Sequence, residues 1–474
     1  MPTRDNLSPA QIQRGLRWNI LAGLLGTFWI AMALTMPLTL FLEALGASGK
    51  QLGLSATLQQ VAMAVQIPAA LWVDRLSRRK PFWAGLAIAH RAVWFLPPLL
   101  LLLPRISPAT LIASTLAMVA VSSALGHMTV PAWFAWMADL VPPKLSGRFW
   151  GLRQSITTAA FIVAMPLTGW ILDAHSGLNG FAWCFGIGAF LGVVDILVHL
   201  AVPEPRPLLP AQTTPLAARL REPFRNRDFL HCTLAFGVWA FGIGLHASFA
   251  PVYLRRSFDV DYRYLVLLPV AGALSTVLCG IPIGKAIDRF GARGLAMLFF
   301  VLGPLLASAW FFVRPGSVQI AGFTLPLPLV IVFCGNFIAG GVYAGLGLCQ
   351  IHLVNTLTEK SGRAMSMALH WSTVGAMAAF GPLCGGGLLD LWTSRGWNFT
   401  LPWGGDFSYF QALLLLNLLL AVGVVIPLLS QVHIRAGGFP AIKFWLLLRP
   451  GNIFRPIFAF GHGWINTRKE DDTP

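Results

Sequence analysis

Twelve long apolar runs alternate with short polar stretches along this chain. They fall at about 16–43, 50–73, 82–104, 107–138, 148–172, 180–202, 229–254, 262–284, 294–313, 323–355, 363–389 and 408–430. Roughly 20 apolar residues in a helix cross a hydrocarbon layer about 30 Å thick. The pattern therefore predicts an all-α polytopic membrane protein with twelve transmembrane helices. Glycine and proline interrupt several runs, which membrane helices tolerate because neighbouring groups re-satisfy the freed backbone. The longest polar interruption, 203–228, is rich in Pro and Arg and predicts a linker. It divides a six-helix unit at 16–202 from another at 229–430, with a short N-terminal segment at 1–15. In the tail, 431–474, the stretch KFWLLLRPGNIFRPIFAF is broken by Arg449-Pro450-Gly451. It predicts two short segments lying in the membrane interface rather than a thirteenth crossing.

Composition agrees with a lipid solvent. Charged residues make up 11% of the 474, against about 25% in soluble domains. The net charge of +16 is a matter of placement. With an even number of crossings, 26 Lys and Arg fall on the side of the termini, 7 fall opposite, and Arg91 lies within a run. That bias predicts both termini in the cytoplasm and argues against a basic nucleic-acid face; the expected location is a bacterial inner membrane. The first apolar run is too long for a cleaved signal segment. Six cysteines lie inside apolar runs without metal-ligand or disulfide spacing. No metal, no cofactor and a monomer are expected. Without HExxH, GxSxG or a GxxxxGK[ST] loop, neither an enzyme nor an ATP-driven pump is expected.

The two halves echo each other. Pro37 and Pro251 are 214 residues apart, as are Asp74-Arg75 and Asp288-Arg289. Ser146-Gly147-Arg148 matches Ser361-Gly362-Arg363, and PLTGWILD at 166–173 matches PLCGGGLLD at 382–390. Six crossings per half make this a parallel repeat. Gly284, Asp288, Arg289, Gly291 and Arg293 form G-x-x-x-D-R-x-G-x-R after the second crossing of the second half. The first half keeps Asp74, Arg75, Arg78 and Arg79, with Ala70 and Ser77 in place of glycines. The chain thus resembles the major facilitator superfamily over about residues 15–432. The resemblance implies two pseudo-symmetric six-helix bundles that move a small solute by alternating access. FGPLCGG at 380–386 is read as helix packing, because it lies in the eleventh crossing rather than the fifth.

The resemblance also implies roles for particular residues. Asp74 would meet the start of the eleventh helix and Asp288 the start of the fifth, where Arg148 and Arg363 follow the capping serines. Each contact is a weak latch worth roughly 0.3–2 kcal/mol. Asp139 is expected in the same charge network, close to Arg148 and Arg153. Crossings one, four, seven and ten would line the cavity, offering Trp29, His127, Trp133, Trp239 and His246, with His370 and Trp371 from the eleventh. Asn336, Tyr343 and Gln350 recur at seven and share one helix face. Arg91 and Asp195 lie at similar depth in crossings three and six, and a lone buried charge is costly. They are expected to form a structural ion pair on outer helices, away from the cavity. The expected function is a secondary transporter of a small organic solute. Proton coupling through His127, His246 or His370 is one mode, and sodium coupling or uniport fits equally. A drug-type exporter and a non-transporting receptor are the alternatives.

Overall fold

Proline at 37 removes a backbone N–H, and its ring collides with the carbonyl four residues earlier. The first helix, Pro9–Trp29, therefore widens into a π turn at Ile30–Leu34, breaks at Thr35 and restarts at Met36–Ala44. Pro251 does the same in the second half, where Arg227–Ala247 ends and Ala250–Phe258 restarts. The repeated proline is thus a repeated break in the first helix of each half.

The computed structural model describes residues 7–73, 75–103, 105–142, 146–205, 216–320, 322–358, 363–397, 399–402 and 406–433. Among the described residues there are twelve helices long and apolar enough to cross a membrane. Spans 1 to 6 are Pro9–Ala44, Gly49–Val73, Lys80–Leu101, Pro108–Leu140, Phe149–Ala174 and Asn179–His199. Spans 7 to 12 are Arg227–Phe258, Tyr262–Gly280, Ala292–Phe312, Leu327–Leu357, Ser366–Arg395 and Tyr409–Ser430. Span 1 starts earlier than its apolar run, because Ser8 and Gln11 close a capping box there. Between the halves lies a short helix, Leu216–Arg225. The interfacial segments expected at 443–460 fall outside the described residues.

Two small hairpins add to the helices. Ser317–Ile320 pairs with Phe323–Pro326, and Phe399–Thr400 pairs with Asp406–Phe407. Gly322, at φ +83°, makes the turn of the first. Their alternation is too short to stand out beside the spans. They mark one face of the molecule, the hairpin face. The N-terminus and the linker mark the other, the linker face.

The apolar core is distributed unequally between these faces. One cluster runs through both halves near the hairpin face, from Phe41, Phe181 and Phe185 to Phe249, Tyr253 and Phe410. Toward the linker face there are two clusters. One, with Trp83 and Trp136, belongs to the first half, and the other, with Phe236 and Phe300, to the second. Polar contacts follow the same division. The Asp390 carboxylate accepts from the N–H groups of Gly49 (2.6 Å) and Lys50 (3.0 Å) at the start of span 2. Asp173 accepts from the Arg263 N–H (3.2 Å) at the start of span 8 and pairs with that guanidinium (3.5 Å). Arg256 meets Glu43 at 3.3 Å. Among the described residues, both ion pairs between the halves lie at the hairpin face.

Close backbone approach makes this seal possible. A side chain at Gly53 would overlap the Pro382 carbonyl, and one at Gly386 would overlap the Gly49 carbonyl. Gly381 and Gly385 likewise let span 11 reach the backbone of span 7. Thr57 donates to the Ala379 carbonyl at 2.6 Å beside the crossing. FGPLCGG is therefore a packing surface in span 11. Replacing Gly53 with Val forces spans 2 and 11 apart, at a cost of roughly 1–3 kcal/mol. Thermal unfolding in detergent is expected to shift down by several degrees for Gly53→Val. Gly85→Ala, at a position with open space around it, is expected to leave the midpoint in place.

Candidate functional site

Two glycines one turn apart in span 1 open the inside of the first half. A Cβ at Gly23 would lie 2.9 Å from the Arg153 guanidinium, and one at Gly26 would lie 2.6 Å from the Asp195 carboxylate. Gly192 in span 6 makes similar room for the Arg91 stem, 2.9 Å from its would-be Cβ. Three charged side chains thereby reach a cavity of about 520 Å³. Its lining comes from spans 1 to 6 and includes Trp29, Trp83, His90, Arg91, His127, Trp133, Arg153, Asp195 and His199.

Hydrogen bonds fix most of these groups. Arg91 Nη2 meets Asp195 Oδ2 at 3.3 Å, and Arg91 Nη1 donates to His90 Nε2 at 3.0 Å. An arginine can only donate, so His90 Nε2 is an acceptor. The proton of this neutral ring is on Nδ1, which donates to the Ser122 carbonyl at 2.7 Å. Trp94 Nε1 holds the Ser122 hydroxyl at 2.8 Å. The Arg91 guanidinium also lies over the Trp29 ring, 3.6 Å from its centroid, a favourable cation–π placement. On the other wall Arg153 donates to Asn19 Oδ1 at 3.0 Å and lies 5.1 Å from the Trp133 centroid. Trp133 Nε1 donates to His199 Nε2 at 3.1 Å.

Two features remain open. Arg153 has no carboxylate within ion-pair distance among the described residues. The indole N–H of Trp29 and the Nε–H of Arg91 are buried with no hydrogen-bond partner among the described residues. With two guanidiniums, one carboxylate and neutral histidines, the lining carries one net positive charge. It is well supplied with donors and poor in acceptors.

The structure sorts the residues singled out in the sequence. Trp29, His127 and Trp133 line the cavity, whereas Trp239, His246, Asn336, Tyr343, Gln350, His370 and Trp371 do not. A seven-residue spacing fixes that residues share a helix face, but not what that face meets. Gln350 turns into the second half, where its amide meets His370 Nε2 at 2.8 Å, and Thr233 meets Nδ1 at 2.9 Å. Tyr343 packs beside Trp239 at 6.2 Å between ring centroids, and His246 meets the Asn417 amide at 3.4 Å. Asn336 is half-buried and Trp371 partly exposed on the bundle surface. Arg91 and Asp195 do meet, but in the cavity wall rather than away from it, because Gly26 leaves the carboxylate uncovered. His90 and His199 were not among the expected cavity residues, and Arg153 was the one cation the sequence offered for a carboxylate. The one available signal was GLLGTFW in span 1, whose glycines face Arg153 and Asp195.

The repeated charged motif anchors helix ends within each half. Lys80 donates to the Val202 carbonyl at 2.9 Å and to that of Leu200, the end of span 6. Arg293 donates to Leu429 (3.2 Å) and Ser430, the end of span 12. Cations suit helix C-termini. Glu204 receives the backbone N–H groups of Arg79 and Lys80. Asp139 pairs with Arg79 at 2.7 Å, and not with Arg153, which turns into the cavity. Gly291 has φ +82°, a conformation glycine adopts freely. Ser77 at the first-half position has no such φ. Gly284 lies in the continuing helix of Leu268–Phe290. Arg75, Arg78 and Arg289 are exposed. Asp74 and Ser361 lie outside the described residues, as do the side chains of Asp288, Arg148 and Arg363.

Known proteins give the arrangement a context. The chain is 26% identical over 278 residues to a cis,cis-muconate transport protein of Acinetobacter baylyi, a match spanning 54% of this chain and 62% of that protein. The fold is similar to that of a mutant form of the nucleoside transporter NupG, with a TM-score of 0.67, 14% identity, and coverage of 88% of this chain and 99% of that one. It is also similar to a bacterial homologue of the human lysosomal transporter Spinster, with a TM-score of 0.58, 17% identity, and coverage of 94% and 98%. The sequence profile of the Major Facilitator Superfamily matches residues 19–379, and with the twelve spans in place this chain belongs to that family.

Proposed function

We propose that this protein is a secondary transporter that moves a small organic anion, a mono- or dicarboxylate, by alternating access. The observation that carries the reading is the charge of the cavity. Two guanidiniums face one carboxylate, and Arg153 holds only a neutral amide. A carboxylate ligand would supply the acceptors this wall lacks, and a bidentate arginine contact suits its geometry. Similarity to a transporter of cis,cis-muconate, a dicarboxylate, supports the same class. The Trp29 and Trp133 rings offer flat apolar surface for the rest of such a molecule.

The distribution of contacts supports alternating access. The Lys and Arg bias makes the linker face cytoplasmic. A continuous core and paired carboxylates then close the outer face, while the halves have separate cores at the cytoplasmic one. Asp173 and Asp390 end the two copies of the PLTGWILD-type repeat, and each contacts the start of a helix in the other half. Such contacts are worth roughly 0.3–1 kcal/mol each, rising to about 2 kcal/mol when partly buried. They are weak enough to break in every cycle. On this reading Asp74 and Asp288 form the matching latches that close the cytoplasmic face in the opposite state.

Two measurements test this. Proteoliposomes are expected to take up labelled muconate, adipate or benzoate in preference to neutral uridine. Arg153→Ala is expected to weaken carboxylate uptake at least about tenfold, the weight of one charge-assisted hydrogen bond. Uptake of uridine but of no carboxylate would overturn the anion assignment. For the second, a reporter cysteine at Thr157 in the cavity wall is labelled from the outer side of right-side-out vesicles, with Cys334 and Cys384 replaced. Asp173→Ala together with Asp390→Ala is expected to raise that labelling. Unchanged labelling would contradict their role as an outer lock.

A further inference from the structure

Resting on the organic-anion reading, the geometry points to Asp195 as the proton-binding residue that makes this transporter carry its anion and a proton in the same direction.

The histidines are poor candidates for that role. A ring nitrogen that already accepts from a fixed donor cannot take a proton without losing that bond. His90 Nε2 accepts from Arg91, and its Nδ1–H donates to the Ser122 carbonyl, so both nitrogens are committed. His199 Nε2 accepts from the Trp133 indole and faces the Asn19 amide, each at 3.1 Å. His127 Nδ1 faces the Gln66 amide nitrogen at 2.8 Å. In the second half, His246 and His370 face the amide nitrogens of Asn417 and Gln350 in the same way, outside the cavity. The histidine route to proton coupling expected from the sequence therefore loses its acceptor sites.

Asp195 differs on each count. Among the described residues it is the one carboxylate in the cavity lining, and it is 5% exposed. A single oxygen meets a single Arg91 nitrogen at 3.3 Å, long beside the usual 2.7–2.9 Å of a charged pair. The charged and titratable groups around it are Arg91 and His90 from span 3, Arg153 from span 5 and His199 from its own span. Span 1 contributes only neutral groups, Asn19, Gly26 and Trp29.

The sign of coupling follows from charge. The empty lining carries one net positive charge. A monocarboxylate cancels it, and a dicarboxylate reverses it. A proton on Asp195 returns the monocarboxylate-loaded lining to the charge of the empty one, brings the dicarboxylate-loaded lining to neutrality, and in both cases releases Arg91 Nη2 to the incoming carboxylate. Each ligand thus raises affinity for the other, and the coupling is reciprocal. The cycle balances without another reactant. A proton from outer water adds to the Asp195 carboxylate as the anion binds. When the anion leaves on the other side, Arg91 returns to Asp195 and the proton passes to water through the cavity.

Two readouts test the assignment on the full-length protein. In infrared difference spectra, the C=O stretch of a protonated carboxyl is expected to titrate in the wild type and to be missing in Asp195→Asn, with or without ligand. An unchanged titrating band in Asp195→Asn would overturn the proposal. In proteoliposomes with labelled adipate and benzoate, whatever uptake Asp195→Asn shows is expected to be the same with and without an imposed pH gradient. Asp195→Glu is expected to restore the dependence on the gradient. Gradient-driven accumulation by Asp195→Asn equal to wild type would also overturn the proposal. If the wild type moves neither anion, the anion reading fails, and the infrared band still decides whether Asp195 takes the proton.

Discussion

The ion pair between Arg91 and Asp195 is the constraint from which the rest of the cavity follows. A charge at this depth in a bilayer is expensive, so each partner needs the other and needs further hydrogen bonds. The guanidinium obtains them from His90 and from the Trp29 ring. Ser122 and Trp94 hold His90 in turn. The carboxylate is left less well served, with one long contact and a glycine in front of it. A pair optimised only for stability would cover that carboxylate. Instead it lines the cavity, as the proposed anion and proton site requires.

The two faces of the molecule divide the work of stability and movement. Near the hairpin face, glycine-mediated backbone contact, a shared apolar core and carboxylates at helix starts join the halves. Near the linker face each half has its own core and its own anchors, with Lys80 holding the end of span 6 and Arg293 the end of span 12. The halves are thus stiff bodies. What holds them together at one face is a set of individually weak contacts. Bodies that are rigid inside and weakly latched to each other suit rocking around a buried site.

Much of this was legible in the sequence. Lipid demands long apolar helices, so the twelve spans stand out, and the repeated Pro37/Pro251 and Asp-Arg pairs reveal the halves. Arg91 and Asp195 could be matched by depth, because a lone charge has nowhere else to go. Their place in the cavity wall was not legible, because it depends on the missing side chains of Gly26 and Gly192. Arg153 stood out in the sequence as the one cation near the cavity that a carboxylate could use, but its position at the cytoplasmic start of span 5 did not show that it turns inward. The stripe of Asn336, Tyr343 and Gln350 shares one helix face but does not line the first-half cavity. A helical period says which residues lie together, but whether Gln350 meets a ligand or His370 is decided by rotation of the whole span.

The most direct test of a positively charged cavity in the first half is a structure determined with a dicarboxylate bound. The account predicts one carboxylate between the Arg153 and Arg91 guanidiniums, with the carbon chain against Trp29 and Trp133. A ligand held instead by Gln350 and His370 in the second half, with Arg153 still on Asn19, would contradict it.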